Sequence, residues 1–130
     1  MEYRILGNTG IKVSRLCFGG LTVGPLQANL SVEAGAEIIA EAFSLGVNFI
    51  DTAEIYETYS HIRRALQITE RKDIVIASKS YAYDEETAKK SVFKALQELK
   101  TDHIDIFLLH EQESQHTLRG HFEALTYYLK

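Results

Sequence analysis

The stretch Asn48-Phe49-Ile50-Asp51-Thr52-Ala53-Glu54-Ile55-Tyr56 decides the fold. Its opening apolar run, Val47 to Ile50, has the length and composition of a buried strand. The run ends in an acid, Asp51, and a tyrosine follows just past the strand end. Two further runs end in the same manner. Ile74-Val75-Ile76-Ala77-Ser78 leads into Lys79, and Ile104-Asp105-Ile106-Phe107-Leu108-Leu109 leads into His110. In a β/α barrel the C-terminal ends of the strands face the active site. Asp51, Lys79 and His110 therefore belong at one end of a sheet, with Tyr56 in the loop after the first of these strands.

The segments around these strands supply the helices between them. Tyr3 to Leu6 and Ile11 to Leu16 flank Gly7-Asn8-Thr9-Gly10 and read as a hairpin. Leu16-Cys17-Phe18 is a short strand running into the glycine-rich loop Gly19-Gly20-Leu21-Thr22-Val23-Gly24. That loop is either an ordinary strand-to-helix turn or a place where backbone approaches a ligand closely. Ser31 is an N-cap for a helix whose apolar positions are Ile38, Ile39, Ala42 and Phe43, and Gly46 stops it. Gly35, one turn earlier on that face, weakens the helix but lets it pack closely. A second helix is expected over Ser60–Gln67, with Ile62, Ala65 and Leu66 inward. Arg71-Lys72-Asp73 is a polar loop. A third helix is expected over Glu85–Lys100 on Ala88, Val92, Ala95, Leu96 and Leu99, and a fourth from near Thr117 on Phe122, Leu125 and Leu129.

Strands alternating with helices imply parallel β-α-β units, and short, nearly all-apolar strands imply a sheet covered on both faces. Four such units are half of an eight-unit barrel, which usually needs roughly 250 residues. The alternative is an open doubly wound sheet, but its G-x-G-x-x-G fingerprint after the first strand is absent.

Composition narrows the function classes. The chain has 130 residues, a net charge of −4, one cysteine (Cys17) and one proline (Pro25). A net negative chain has no basic footprint for nucleic acid. No run approaches the length of a membrane span, and no signal peptide follows Met1. A single cysteine fits a cytoplasmic location. The whole of 1–130 reads as one partial domain, with no internal boundary.

The clustered groups suggest a chemistry. A tyrosine hydroxyl, ordinarily with a pKa of about 10, is a poor proton donor near neutrality, and a nearby ammonium favours its phenolate. Lys79 supplies such an ammonium, Asp51 holds it charged, and His110 hydrogen-bonds a carbonyl oxygen. That set suits protonating a developing alkoxide, whereas hydride has to come from a cofactor. Taken singly, each residue has a plainer reading. Asp51 can cap a turn, Tyr56 can be an interface aromatic, Lys79 can be solvated and His110 can be structural. Their joint placement in successive β/α units favours the chemical reading.

The sequence resembles the N-terminal half of the aldo-keto reductases. The resemblance runs through Tyr3–Ser14, Phe49–Tyr56, Ile74–Lys79 and Asp102–His110. It implies a (β/α)8 TIM barrel of which about the first four β/α units are present, preceded by a hairpin. It implies a catalytic tetrad of Asp51, Tyr56, Lys79 and His110, with Tyr56 the general acid. It also implies hydride transfer from NADPH or NADH to an aldehyde or ketone, with Gly20, Thr22 and Asp51 near the nicotinamide. One departure is Glu57, where the family commonly has glycine. The other is length, because most of the family's cofactor loops lie in its second half. The open edges of a half-barrel then imply either self-association or a longer protein. Two other readings stand beside this one. One is a non-catalytic binding or regulatory protein on the same scaffold. The other is an enzyme using Lys79 as a Schiff-base nucleophile. His110, Glu111, His116 and His121 fit no recognised metal-ligand spacing, so no metal site is expected.

Overall fold

The structure is a computed structural model. It describes residues 1–111 and 115–129, with backbone alone for 115–120. The N-terminal hairpin forms as the Gly/Asn turn requires. Strands β1 (Tyr3–Ile5) and β2 (Lys12–Ser14) pair antiparallel with Arg4 opposite Val13. The hairpin is tied by Asn48 to the start of the later strand Phe49–Asp51. The Asn48 side-chain oxygen accepts from Ser14 N at 2.6 Å, and its amide donates to Lys12 O at 3.0 Å.

Four strands follow in one parallel sheet, in the order β3 (Phe18–Gly19), β4 (Phe49–Asp51), β5 (Val75–Ser80) and β6 (Ile106–Leu109). Each strand lies beside its predecessor in sequence, which is the pattern expected of successive β-α-β units. The two edges are β3 and β6. Burial follows position in the sheet. Val75, Ile76, Ala77, Ser78 and Ser80 of the inner strand β5 are all buried, whereas Leu108 on the edge strand β6 is 44% exposed. The expectation of a sheet covered on both faces therefore holds for β5 and fails at the β6 edge, where β5 is the one neighbouring strand among the described residues.

Helix α1 (Val32–Ser44) begins at Ser31, whose hydroxyl accepts from Ala34 N, and stops at Gly46, whose φ of +90° suits glycine. Its buried face is Gly35, Ala36, Ile39 and Phe43. Ile38, expected on that face, is exposed. It lies about 100° round the helix from Ile39 and so turns away from the core. Gly35 does serve close packing. A Cβ there would lie 2.5 Å from the His61 ring and 3.2 Å from Val23 Cβ, so α1 can seat against α2 (Tyr59–Ala65) only with hydrogen at this position.

Helix α3 (Glu85–Leu99) is capped by Asp84, whose carboxylate accepts from Thr87 N, and buries Ala88, Val92, Ala95 and Leu99 of the expected stripe, with Leu96 half-buried. Helix α4 (Gln115–Tyr128) packs on α3, but of the expected stripe only Leu125 is half-buried. Phe122 is 71% exposed, and Leu129 lies past the helix end and is exposed. Among the described side chains of α4 the buried ones are His121 and Ala124, three apart on one face, where the small alanine allows close approach. The main core joins Ile39 and Phe43 of α1, Ile62 of α2 and Leu99 of α3 to Ile50 and Ile76 of the sheet.

Candidate active site

Parallel pairing decides where the functional side chains meet. Asp51 is the last residue of β4, Lys79 lies one residue from the end of β5, and His110 directly follows β6. The register sets Asp51 opposite Ala77 and Lys79 opposite Leu108, so all three side chains stand at the C-terminal end of the sheet. Lys79 Nζ donates to Asp51 Oδ1 at 2.8 Å, to Asp51 Oδ2 at 2.7 Å and to Thr52 O at 2.7 Å. An ammonium has three protons, and here each has an acceptor. The lysine side chain is 14% exposed and the aspartate 37%. Lys79 is thus not solvated, and Asp51 is not a turn cap, since the following 3-10 turn (Glu54–Tyr56) has no side-chain cap.

Tyr56 closes that turn and brings its ring to the ion pair. Lys79 Nζ lies 4.9 Å from the ring centroid, over the face. The ring meets the His110 imidazole edge-on at 5.5 Å and 84°. The structure therefore brings together all four residues that the sequence singled out. Gly20 is buried in a 3-10 turn (Gly20–Val23) beside this cluster, and a Cβ there would lie 3.1 Å from Asp51 O. Thr22 is exposed in the same turn, and its hydroxyl donates to Gly19 O at 2.8 Å.

Buried hydroxyls that the sequence reading passed over hold the tyrosine loop. Thr52 and Thr58, both fully buried, pair their hydroxyls at 2.8 Å across the loop. Tyr59, also buried, pairs with Ser78 of β5 at 2.7 Å. Burial pushes the Tyr59 phenol up to about 12, with a partial offset from Ser78, so this tyrosine stays protonated and structural. Glycine at position 24 lets the chain before α1 approach the loop, because a Cβ there would lie 2.4 Å from Thr58 Cγ2 and 2.8 Å from Tyr56 O. Glu57 takes the left-handed conformation, φ 55° and ψ 32°, directly after the tyrosine. The shape that a glycine would supply is kept by a glutamate, at a cost of roughly 1 kcal/mol.

His110 is 8% exposed. Burial, and after it the Lys79 charge, hold its pKa below the usual 6.5, with a partial offset from Glu111 and Asp51. The imidazole is therefore neutral around neutral pH. Its other face is covered by Tyr81, stacked at 4.2 Å and 22°. Nothing in the apolar pattern marks Tyr81, which lies past the end of β5. Only the β5–β6 register shows that it reaches His110.

Of the histidines near the fourth strand, His121 is buried on α4, and the side chain of His116 lies outside the described residues. Among the described residues no group of three or more His, Cys, Asp or Glu side chains is placed to hold a metal. Among those residues no helix is long and apolar enough to cross a membrane.

Comparison with known proteins adds to this geometry. Residues 15–130 match the model of the aldo/keto reductase family. L-galactose dehydrogenase of Arabidopsis thaliana is 34% identical over 125 residues, covering 87% of this chain and 39% of that protein. A thermostable aldo-keto reductase crystallised with the inhibitor epalrestat superposes with a TM-score of 0.88 at 28% identity, covering 98% of this chain and 49% of the other. The holo form of an aldo-keto reductase from Bacillus halodurans gives 0.83 at 27% identity, covering 98% and 46%. The chain thus spans 39% to 49% of the length of these relatives. Its parallel sheet is a partial TIM barrel of the kind that they share. On the match over 15–130 and these superpositions, the chain belongs to the aldo/keto reductase family.

Proposed function

We propose that the protein is an NAD(P)H-dependent oxidoreductase that reduces an aldehyde or ketone to an alcohol, with Tyr56 as the proton donor. One observation carries this reading. A fully hydrogen-bonded ammonium, Lys79, is held by Asp51 over the face of Tyr56, which in turn abuts a neutral His110.

Each residue then has a task. His110 and the Tyr56 hydroxyl together receive the carbonyl oxygen, and His110 orients it by a hydrogen bond. As negative charge grows on that oxygen, Tyr56 passes its proton across. The Lys79 charge stabilises the phenolate left behind, and Asp51 keeps that charge in place. General acid catalysis of this kind contributes typically ~10²–10⁴-fold.

Hydride would come from a bound nicotinamide, because no side chain donates hydride. The donor set fits the reactive end of such a cofactor. Asp51 accepts from Lys79 on both oxygens yet is 37% exposed, and a carboxylate has about four lone-pair sites, so acceptor capacity is left over. Asp51, Gly20 and Thr22 are the residues assigned to that end. NADPH and NADH both satisfy this assignment.

The geometry weighs against the other two readings. A Schiff-base nucleophile needs a neutral amine, whereas each Lys79 proton is committed to Asp51 or Thr52 O. A non-catalytic scaffold has no use for an ammonium held over a phenol. Self-association through the open β3 and β6 edges belongs to the same proposal and is checked by sedimentation. The deciding experiment incubates the protein with NADPH or NADH and a panel of simple aldehydes, and detects the alcohol. A parallel sample with borohydride and no cofactor is tested for adduct on Lys79. Alcohol formation without adduct supports reduction, and adduct without alcohol formation overturns it.

A further inference from the structure

His110 is held between two tyrosines, and only one of them belongs to the tetrad. Tyr56 meets the imidazole edge-on, while Tyr81 lies flat against it at 4.2 Å. Tyr81 is anchored at both ends. Its hydroxyl donates to Glu111 Oε2 at 2.9 Å, so one side chain engages two consecutive residues beyond β6. Its backbone is flanked by fixed points. Ser80 is fully buried, its hydroxyl donates to Ser91 Oγ at 3.0 Å, and the same oxygen accepts from Ala82 N at 2.9 Å. Ser80 O accepts from His110 N at 3.0 Å, which carries the β5–β6 pairing up to the histidine itself. Glu111 sits at φ 52°, a conformation that costs a non-glycine residue free energy and needs support from its surroundings. Tyr81 is 43% exposed, so it is not a core residue that the fold needs for its stability.

We propose that Tyr81 is a positioning residue for His110, setting the plane of the imidazole by stacking and locking it through the bond to Glu111. Tyr81 acts through His110 and not on the reacting atoms. The inference rests on the reductase reading for its catalytic consequence, but not for its geometric content.

Two variants separate the stack from the hydrogen bond. Tyr81→Phe keeps the stacked ring and loses the bond to Glu111, whereas Tyr81→Leu loses both. Two readouts are taken on the protein with isotope-labelled histidine. One is the His110 ring-proton resonances with their Overhauser contacts to Tyr56. The other is the split between kcat and KM for aldehyde reduction. In Tyr81→Leu the His110 signals should shift as the ring current is lost, and the contacts to Tyr56 should weaken. kcat should fall by about tenfold with KM little changed, as expected of a misplaced reacting partner. Tyr81→Phe should keep the ring-current shift and stay within about threefold of the parent in kcat, since the stack that sets the ring plane survives. Tyr81→Leu with unaltered His110–Tyr56 contacts, or with parental kcat, overturns the proposal. If neither the parent nor a version extended past Lys130 reduces an aldehyde the reductase reading falls, and the Overhauser contacts alone decide whether Tyr81 positions His110.

Discussion

The sheet carries an ion pair at each end, and the two are built for different ends. At the C-terminal end Lys79 pairs with Asp51 at 2.7 Å, and at the N-terminal end Arg71 pairs with Asp105 at the same distance. The lower pair is closed on itself. The Arg71 guanidinium also donates to Thr101 Oγ1 and to the carbonyl oxygens of Ile74 and His103. Asp105 takes the backbone N–H of Ile76 as well, and both side chains are 18% exposed. That pair staples the 3-10 turn before β5 (Arg71–Asp73) to the start of β6, and all three nitrogens of the guanidinium are engaged within the fold. The upper pair fixes the lysine just as firmly, but it leaves the carboxylate partly open and sets the ammonium over a phenol ring. The same charge chemistry ties the fold together at one end and, on the proposed function, serves a reaction at the other. This matches the division between the bottom and top of a β/α barrel.

The sharpest test of that division is Tyr56→Phe. It should cut kcat by ~10²–10⁴-fold while leaving the melting temperature within the scatter of the parent, because in the proposed mechanism the hydroxyl carries the proton and not the packing. Activity and thermal unfolding measured on one preparation check both halves of the statement. Asp105→Ala should do the reverse. It strands the Arg71 guanidinium and the Ile76 N–H, and breaking a buried pair costs about 3–5 kcal/mol; with part of each side chain in water, about 2–3 kcal/mol is expected here. Urea unfolding reads that loss, and kcat per folded molecule should not change.

A smaller effect follows from His110. Its folded pKa lies below 6.5, so the unfolded chain takes up the proton first as pH falls. The stability that its neutral form contributes is complete above about pH 6.5 and is lost as pH drops through the folded value. His110→Gln should flatten that part of the stability–pH curve, and an unchanged slope would show that burial at this site does not disfavour the charged imidazole. The smallest effect belongs to Glu57→Gly. Relief of the left-handed strain and the added freedom of the unfolded chain nearly cancel, which leaves a gain of no more than about 1 kcal/mol. A loss of more than that in urea unfolding would mean that the Glu57 side chain supports the loop.

The parts of this molecule that could be read from sequence are those where a period ends in a marked residue. The runs into Asp51, Lys79 and His110 gave both the strands and the side chains that meet at their C-terminal ends, because a buried parallel strand is apolar until its end. Helix faces were less secure. Ile38 and Phe122 are apolar and near the right spacing, yet they turn outward, because small residues such as Gly35 and Ala124 make the closest contacts and carry little hydrophobic signal. Arg71 read as part of a polar loop, since nothing local shows that its partner is Asp105, 34 positions away. The Thr52–Thr58 and Tyr59–Ser78 hydroxyl pairs and the Tyr81–His110 stack were silent for the same reason. They depend on strand register, which only the folded chain reveals.

In the proposed mechanism Tyr56 donates the proton from a site that the fold's stability does not need. The direct measurement sets the parent, Tyr56→Phe and Asp105→Ala side by side, with kcat for NADPH-dependent aldehyde reduction and the free energy of unfolding taken on each. Tyr56→Phe is expected to lose turnover at full stability, and Asp105→Ala to lose stability at full turnover per folded molecule. Turnover in Tyr56→Phe within about threefold of the parent, far short of the general-acid effect, would contradict it.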